Sequence, residues 1–189
     1  MKLHLGRRKL RTYLAIAMVG AMLAVAQPLP AHAIGSTWSF THGFEADNAS
    51  IWIFASSPAC GDCGYVSGPE VSSHSGTHVA NMEAPAGSGN FSTVFTYLNL
   101  APSAASILWC YAQAYVATNG LVNVEVIDSA TWRYVALASI SNTIDFDYHL
   151  VRTALWHPAV RDVVFRVSVV NNNKMGLALV DDVAVVCSV

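Results

Sequence analysis

Three aromatic side chains lie at alternating positions of one apolar segment. Trp109, Tyr111 and Tyr115 are separated by small or apolar residues, so in an extended strand their rings project from one face. Flat rings of this kind stack on the apolar faces of sugar rings, and polar groups such as Gln113 and Glu125 can bind sugar hydroxyls. The pattern indicates either a carbohydrate-binding face or a set of rings that fills the space between two sheets.

The acidic residues show no recognisable catalytic arrangement. Asp145, Asp147 and His149 would share one face of an extended segment, which could be a metal or acid–base group or simply a solvated edge. A glycosidase needs two opposed carboxylates, and residues such as Glu83 and Asp128 are scattered without a marked pair. Neither G-x-S-x-G nor H-E-x-x-H occurs. The sequence predicts a non-catalytic protein, with a glycan-active hydrolase as the less favoured alternative.

Cysteine and histidine residues occur at a spacing that could bind zinc. Cys60 and Cys63 precede His74 and His78, which resembles the Cys2His2 finger pattern with a shorter spacer. The histidines flank a Ser-Gly pair, which is typical of a turn leading into a strand, whereas a finger needs both on one helix. Zinc is therefore the less favoured interpretation of these residues.

The N-terminus has the three parts of a secretory signal peptide. Basic residues within 2–11 precede an apolar segment at 13–26, and residues 31–33 read Ala-His-Ala. We expect a signal peptide at 1–33 and a secreted, extracellular protein that begins at Ile34. An uncleaved membrane anchor is the alternative, although the apolar segment is shorter than the roughly 20 residues of a spanning helix.

Removal of this leader leaves an acidic chain. Five of the ten Lys and Arg residues precede position 34, whereas all twelve Asp and Glu residues follow it, so residues 34–189 carry a formal charge of −7. Such a surface repels phosphates, which argues against nucleic acid and anionic membranes as partners. The length of this part fits one domain, and the sequence leaves its oligomeric state open.

The four cysteines predict two disulfide bonds. An even number in an exported chain favours disulfides, and four cysteines allow three pairings. Cys60 and Cys63 are neighbours in a Gly-Asp turn and are expected to pair with each other. This leaves Cys110 to pair with Cys187, which would join a mid-chain strand to the last one.

Short β-rich segments separated by turn residues predict an all-β fold. Val122, Val124 and Val126 alternate with polar residues, and 163–169 shows the same period of two, which is typical of half-buried strands. Further strands are predicted at 38–40, 51–54, 78–82, 91–98, 107–117, 133–138, 149–153 and 177–187. Many short strands at this spacing predict a two-sheet antiparallel sandwich.

Asp181 lies in the last predicted strand, in a register that points its carboxylate toward apolar neighbours. In a regular strand it shares a face with Leu179, Val183 and Val185. A buried and unpaired carboxylate costs several kcal/mol, so it needs a partner. A cation with oxygen ligands would provide one, and the alternatives are a strand cap or an arginine.

Three short motifs follow one another along residues 34–189. A Gly-Phe-Glu motif lies at 43–45, a Ser-Gly motif opens 75–82, and an Asp-Asp-Val motif lies within 179–185. This order resembles the jelly-roll, galactose-binding-like modules found beside bacterial glycoside hydrolases. The resemblance implies a jelly-roll carbohydrate-binding domain at 34–189, with an extracellular or cell-wall polysaccharide as partner. The alternative is an extracellular structural or interaction protein that retains the fold without binding sugar.

The resemblance also implies a structural calcium ion. In such modules the ion is held by the Glu of the first motif, an Asp of the last and nearby backbone carbonyls. Carried over to this sequence, the ligands are the side chains of Glu45 and Asp181 and carbonyls near Gly43 and Thr77.

Overall fold

The computed structural model describes residues 37–45, 49–100, 107, 109–143, 146–171 and 176–188. The expected signal peptide and Asp145 lie outside this range. In the described part of the chain, no helix is long and apolar enough to cross a membrane.

Eleven strands account for most of the described residues. They are β1 Thr37–His42, β2 Ile53–Ser57, β3 Gly64–Ser67, β4 Val79–Ala84, β5 Phe91–Asn99, β6 Trp109–Thr118, β7 Leu121–Asp128, β8 Tyr134–Ser141, β9 His149–Arg152, β10 Asp162–Val170 and β11 Gly176–Ser188. A short 3-10 helix, Ala49–Ile51, precedes β2. Ten of the eleven strands coincide with predicted ones, which confirms the all-β prediction.

The strands form two antiparallel sheets. The six-stranded sheet has the order β3-β4-β11-β6-β9, and β1 also pairs with β11. The five-stranded sheet has the order β2-β5-β10-β7-β8. The two sheets pack on each other, as expected for a jelly-roll sandwich.

The core lies between the two sheets and follows from the alternation of side chains in each strand. The inner residues of β7 and β10, such as Val124 and Val167, are fully buried. They belong to one apolar cluster with Ala112, Ala114 and Val116 of β6. The opposite residues of these strands therefore point out of the sandwich.

One strand, β3, was not predicted from the sequence. It has four residues, Gly64–Ser67, and pairs with β4. It begins directly after Cys63, so it adjoins a segment that reads as a turn. Its four residues are also too few to show a clear period of two.

Both predicted disulfides form. Cys60 pairs with Cys63 and Cys110 pairs with Cys187, and the described residues contain no free cysteine. The alternative zinc site is wrong, because the sulfurs that it requires are bonded to each other.

The predicted register of Asp181 is wrong beyond that residue. The pairing of β11 with β6 shifts between Asp181 and Ala184, and Asp182 has a φ of 43°. This β-bulge reverses which side chains face inward, so Val183 and Val185 join the core between the sheets. Asp181 instead follows Leu179, which belongs to a separate cluster, on the outer side of the sheet.

The two disulfides should differ in their contribution to stability. Replacing Cys110 and Cys187 together by Ala should lower the free energy of unfolding by about 4.5 kcal/mol, because that bond closes a long loop. The matched control, replacement of Cys60 and Cys63 by Ala, should cost about 2 kcal/mol because its loop is short. Urea denaturation measures both, and equal losses for the two variants would contradict this prediction.

Candidate functional site

The aromatic residues of β6 lie on the outer face of the six-stranded sheet, which we call the Trp109 face. Trp109 is 53% exposed, and Tyr111, Gln113 and Tyr115 are half-buried. Their neighbours along the strand are buried in the core. The rings therefore point outward and do not fill the space between the sheets.

An arginine lies over the middle of the Trp109 face. Arg152 of β9 is the cross-strand neighbour of Gln113, and its Nε and Nη2 donate to the Gln113 side-chain oxygen at 2.9 and 2.6 Å. Its guanidinium carbon lies 4.6 Å from the centre of the Tyr111 ring. The contacts fix the cation over an aromatic surface.

Tyr115, at the far end of the Trp109 face, is covered. The ring of His74 stacks on it with 3.6 Å between centroids. Beside it a groove of about 410 Å³ opens, lined by Thr41, His42, Gly43, Gln113, Tyr115, Asp182, Val183 and Ala184. The uncovered part of the face therefore runs from Trp109 to the groove.

Glu125 does not belong to the Trp109 face, which corrects the expectation that grouped it with these rings. It lies on β7 in the five-stranded sheet and is 2% exposed. Arg166 of β10 is its cross-strand neighbour, and Arg166 Nε donates to its carboxylate. The hydroxyl of Ser168 donates to the same oxygen at 3.0 Å. The assignment failed because the sequence does not show which strands share a sheet.

The ion pair lies in a cavity on the outer face of the five-stranded sheet, which we call the Glu125 cleft. The cavity measures about 190 Å³ and is lined by Phe91, Asn123, Glu125, Tyr134, Arg166, Ser168 and Val170. Tyr134 is 60% exposed, and its hydroxyl accepts from Arg166 at 3.4 Å. Tyr97 and Leu137 expose apolar surface on the same sheet. Two features of the sequence could have pointed here: Arg166 is the lone charge in the predicted valine-rich strand 163–169, and Tyr134 lies in the predicted strand 133–138.

Glu45 is held by the segment Ser73–His78, which we call the 73–78 loop. Its Oε1 accepts the backbone N–H of Thr77 at 2.9 Å, and its Oε2 accepts the Thr77 hydroxyl at 3.0 Å. The Nδ1 of His78 lies 3.1 Å from Oε2. These hydrogen bonds, the Thr77 N–H first among them, lower the Glu45 pKa to about 2.

Asp181 is held by the other side of the same loop. Its Oδ2 accepts the backbone N–H groups of His74 and Ser75, both at 2.9 Å, and its Oδ1 accepts that of Asp182 at 2.8 Å. Burial nevertheless raises the pKa of Asp181, and the neighbouring Asp182 charge acts in the same direction. The pKa values of the two carboxylates therefore shift in opposite directions: the fold favours the ionised form of Glu45 and disfavours that of Asp181.

Gly76 allows the close approach of Glu45 to the 73–78 loop, and a Cβ on Gly43 would lie at ordinary contact distance from Asp181 and Asp182. A Cβ on Gly76, which has a φ of +60°, would lie 2.0 Å from Glu45 Oε1. A Cβ on Gly43 would lie 3.7 Å from Asp181 Oδ1. The four expected calcium-binding positions, Gly43, Glu45, Thr77 and Asp181, are thus brought to one loop. Within the described residues, no group of three or more His, Cys, Asp and Glu side chains is placed to hold a metal.

Asp182 and His74 complete this region and were not predicted as partners. The Nδ1 of His74 lies 2.6 Å from Asp182 Oδ2, and the Ser75 hydroxyl donates to Asp182 Oδ1 at 2.7 Å. Of the other proposed acid–base group, Asp147 and His149 are both exposed, which matches the solvated-edge interpretation.

Comparisons with known proteins give structural matches only. No family model and no curated protein matches the chain. The carbohydrate-binding module TmCBM61, solved in complex with β-1,4-galactotriose, has a TM-score of 0.57 and 13% identity, covering 76% of this chain and 92% of that one. The K2 cleaved adhesin domain of Lys-gingipain has a TM-score of 0.57 and 13% identity, covering 80% and 100%. The CBM22-1–GH10 modules of Clostridium thermocellum xylanase 10B, complexed with xylohexaose, have a TM-score of 0.50 and 15% identity, covering 79% and 28%.

The chain has the jelly-roll fold of carbohydrate-binding modules. At these identities the similarity concerns the fold alone, and a fold of this kind supports several functions. The function therefore has to be argued from the two outer faces and the 73–78 loop.

Glu45 should make the metal-free protein more stable at neutral pH than in acid. Its pKa is about 2 in the fold against an ordinary value of 4.5, so its contribution is complete above pH 4.5 and is lost as the pH falls toward 2. Glu45→Gln should therefore lower the melting temperature at pH 6 in the presence of chelator and have little effect near pH 2. Asp181 acts in the opposite direction, since a raised pKa penalises the ionised form.

The control for this experiment is Glu83→Gln, which removes a carboxylate from β4 outside the 73–78 loop. Comparing each variant with wild type at every pH cancels the contribution of Asp181. A Glu45→Gln deficit that is as large at pH 2 as at pH 6 would contradict the assignment.

Proposed function

We propose that this protein is a secreted, non-catalytic carbohydrate-binding module that binds a neutral glycan in the Glu125 cleft. The observation that carries the proposal is the pair of buried Glu125 and half-buried Arg166 on an outward-facing surface with exposed aromatic rings. The fold shared with carbohydrate-binding modules and the two disulfides, which suit an oxidising compartment, support it.

The cost of burying the Glu125 carboxylate in an ion pair favours a functional interpretation. Replacing a buried pair by well-packed apolar residues is often neutral or stabilising, and the outer side of β7 and β10 has apolar neighbours such as Ile127 and Val164, both buried. A charged pair at this position therefore does more than fill space. It holds fixed donors and acceptors against a cavity that a ligand can enter.

The chemistry of the cleft suits sugar hydroxyls. Glu125 can only accept, Arg166 can only donate, and Asn123 can do both, which matches a ligand whose hydroxyls are donors and acceptors. The ring of Tyr134 provides a flat apolar surface for the face of a sugar ring. In such sites a few polar groups usually orient the ligand, and an aromatic ring contributes much of the affinity.

The cleft lining favours binding over hydrolysis. Among the described residues that line it, Glu125 is the one carboxylate, and it is engaged by Arg166 and Ser168. Glycoside hydrolysis by the usual route needs two carboxylates that flank the scissile bond.

An extracellular interaction protein is the second candidate. The match to an adhesin domain, with the same TM-score as the match to TmCBM61, favours it. In that case the outer faces would contact another protein, and neutral glycans would not bind.

Neutral oligosaccharides should bind to the cleft through Tyr134. The ligands of the similar structures suggest galacto- and xylo-oligosaccharides as probes. Tyr134→Ala should weaken binding by about tenfold, because it removes a stacking contact worth about 1 kcal/mol or slightly more. Titration calorimetry of residues 34–189 measures this effect.

The matched control is Tyr65→Ala, which removes a similarly exposed tyrosine from the six-stranded sheet and should leave affinity unchanged. Absence of binding across a panel of neutral glycans would refute the proposal. Equal affinity of Tyr134→Ala and wild type would place the site elsewhere.

We also propose that calcium binds at the 73–78 loop through Glu45, Asp181 and the carbonyls of Gly43 and Thr77. All four are oxygen ligands, which calcium prefers. Asp181 Oδ1 accepts a single hydrogen bond and faces Gly43, so it retains a lone pair for an ion. A cation there would relieve the repulsion from Asp182 that contributes to the raised Asp181 pKa.

Chelation should destabilise metal-loaded protein. An ion that binds only the folded state adds about 2.7 kcal/mol at a hundredfold excess over its Kd, so the melting temperature should fall by several degrees. Asp181→Asn should abolish this response, whereas Asp147→Asn, which removes an exposed carboxylate elsewhere, should retain it. An unchanged melting temperature after removal of a metal shown to be bound would rule out a stabilising ion at this loop.

A further inference from the structure

The Trp109 face carries a cation, Arg152, that pairs with no acidic group among the described residues. In the described part of the chain the ion pairs involve His74, His78 and Arg166, and Arg152 is not among them. Its side chain donates two hydrogen bonds to the neutral amide oxygen of Gln113. Arg152 is thus held without a carboxylate although residues 34–189 carry a formal charge of −7.

The contacts of Arg152 fix its position and leave its charge available. Arginine has five N–H donors, and the contacts to Gln113 use two. The guanidinium carbon lies 4.6 Å from the centre of the Tyr111 ring, and the Arg152 side chain is exposed to solvent. Such a planar, preorganised fork recognises carboxylates with two parallel hydrogen bonds.

An aromatic platform adjoins this cation. Trp109 precedes Tyr111 by two residues on the same face, a distance of about 7 Å along a strand. His157 meets the Trp109 ring edge-on, at 6.0 Å and 89°, which leaves the indole 53% exposed. A flat ring beside a free guanidinium suits a ligand that combines an apolar face with a carboxylate.

We infer that the Trp109 face is a second glycan-binding site, specific for saccharides that contain uronic acid. The uronate ring stacks on Trp109 and its carboxylate binds Arg152. Neighbouring sugar units extend toward the groove beside Gln113, where backbone and amide groups meet their hydroxyls. The inference rests on the proposed function only in taking the protein to bind glycans, since the two sites lie on different sheets.

The charges around the groove set the direction of the ligand. Asp182 lines the groove, and Asp181 lies next to it. The Asp182 carboxylate is engaged by His74 and Ser75 of the 73–78 loop, and it still repels a second uronate when a cation is bound at Asp181. The acidic unit therefore lies at the Trp109 end, and units near Tyr115 are neutral.

The test uses tetragalacturonate and its fully methyl-esterified form, titrated into residues 34–189 by calorimetry. Esterification removes the charge and keeps the rings. Wild type should prefer the acid, and Arg152→Gln should weaken acid binding by about tenfold or more and leave the ester unaffected. Trp109→Ala should weaken the binding of both the acid and the ester, whereas added salt should weaken only the binding of the acid.

Two controls separate this inference from the proposed function. Arg133→Gln removes an exposed arginine elsewhere and should not alter acid binding, and Tyr134→Ala should impair neutral glycans alone. If acid binding is lost in Tyr134→Ala and kept in Arg152→Gln, the ligand lies in the Glu125 cleft and this inference is wrong while the proposed function stands. Equal affinity for acid and ester, or a Trp109-dependent dimer that binds neither, would also overturn it.

Discussion

The hydrogen bonds from the 73–78 loop to Asp181 form the constraint on which this structure depends. The bulge at Asp181 and Asp182 turns β11 over, so that each half of the strand contributes its own inner residues to the core. A bulge leaves backbone groups without their regular ladder partners. Here the Asp181 carboxylate accepts one of these, the N–H of Asp182, together with two N–H groups of the loop.

This constraint positions both faces of the six-stranded sheet. β11 is the longest strand, with thirteen residues, and it pairs with β1, β4 and β6. Beyond the bulge the inner residues of β11 pack in the core, and the last of them, Cys187, forms the disulfide with Cys110 of β6. The same disulfide fixes the start of β6, where Trp109 projects. The Trp109 face is therefore built on the most extensively paired part of the fold, which limits the entropy that a ligand must overcome on binding.

Features that depend on the local residue pattern could be predicted from the sequence, whereas features that depend on pairing between distant strands could not. The valines of β7 and β10 follow a period of two, so strands and inner faces were predictable there. The register of Asp181 was not, because one extra residue in a bulge reverses the pattern for the rest of the strand. The location of Glu125 depends on which sheet β7 joins. The 73–78 loop gains its role from contacts with residues distant in sequence, as between Thr77 and Glu45 or between Ser75 and Asp181.

The two arginines that face outward illustrate how a partner determines what a charge can recognise. Arg166 is half-buried and is neutralised by the buried Glu125, so the cleft presents donors and acceptors but little net charge, which suits neutral hydroxyls. Arg152 is held by an amide and a ring, which orient the guanidinium without cancelling it. A guanidinium whose orientation is already fixed loses little conformational entropy when it binds a carboxylate. The arrangement at Arg152 therefore favours an anionic ligand. One fold can in this way offer two glycan sites of different charge on opposite sheets.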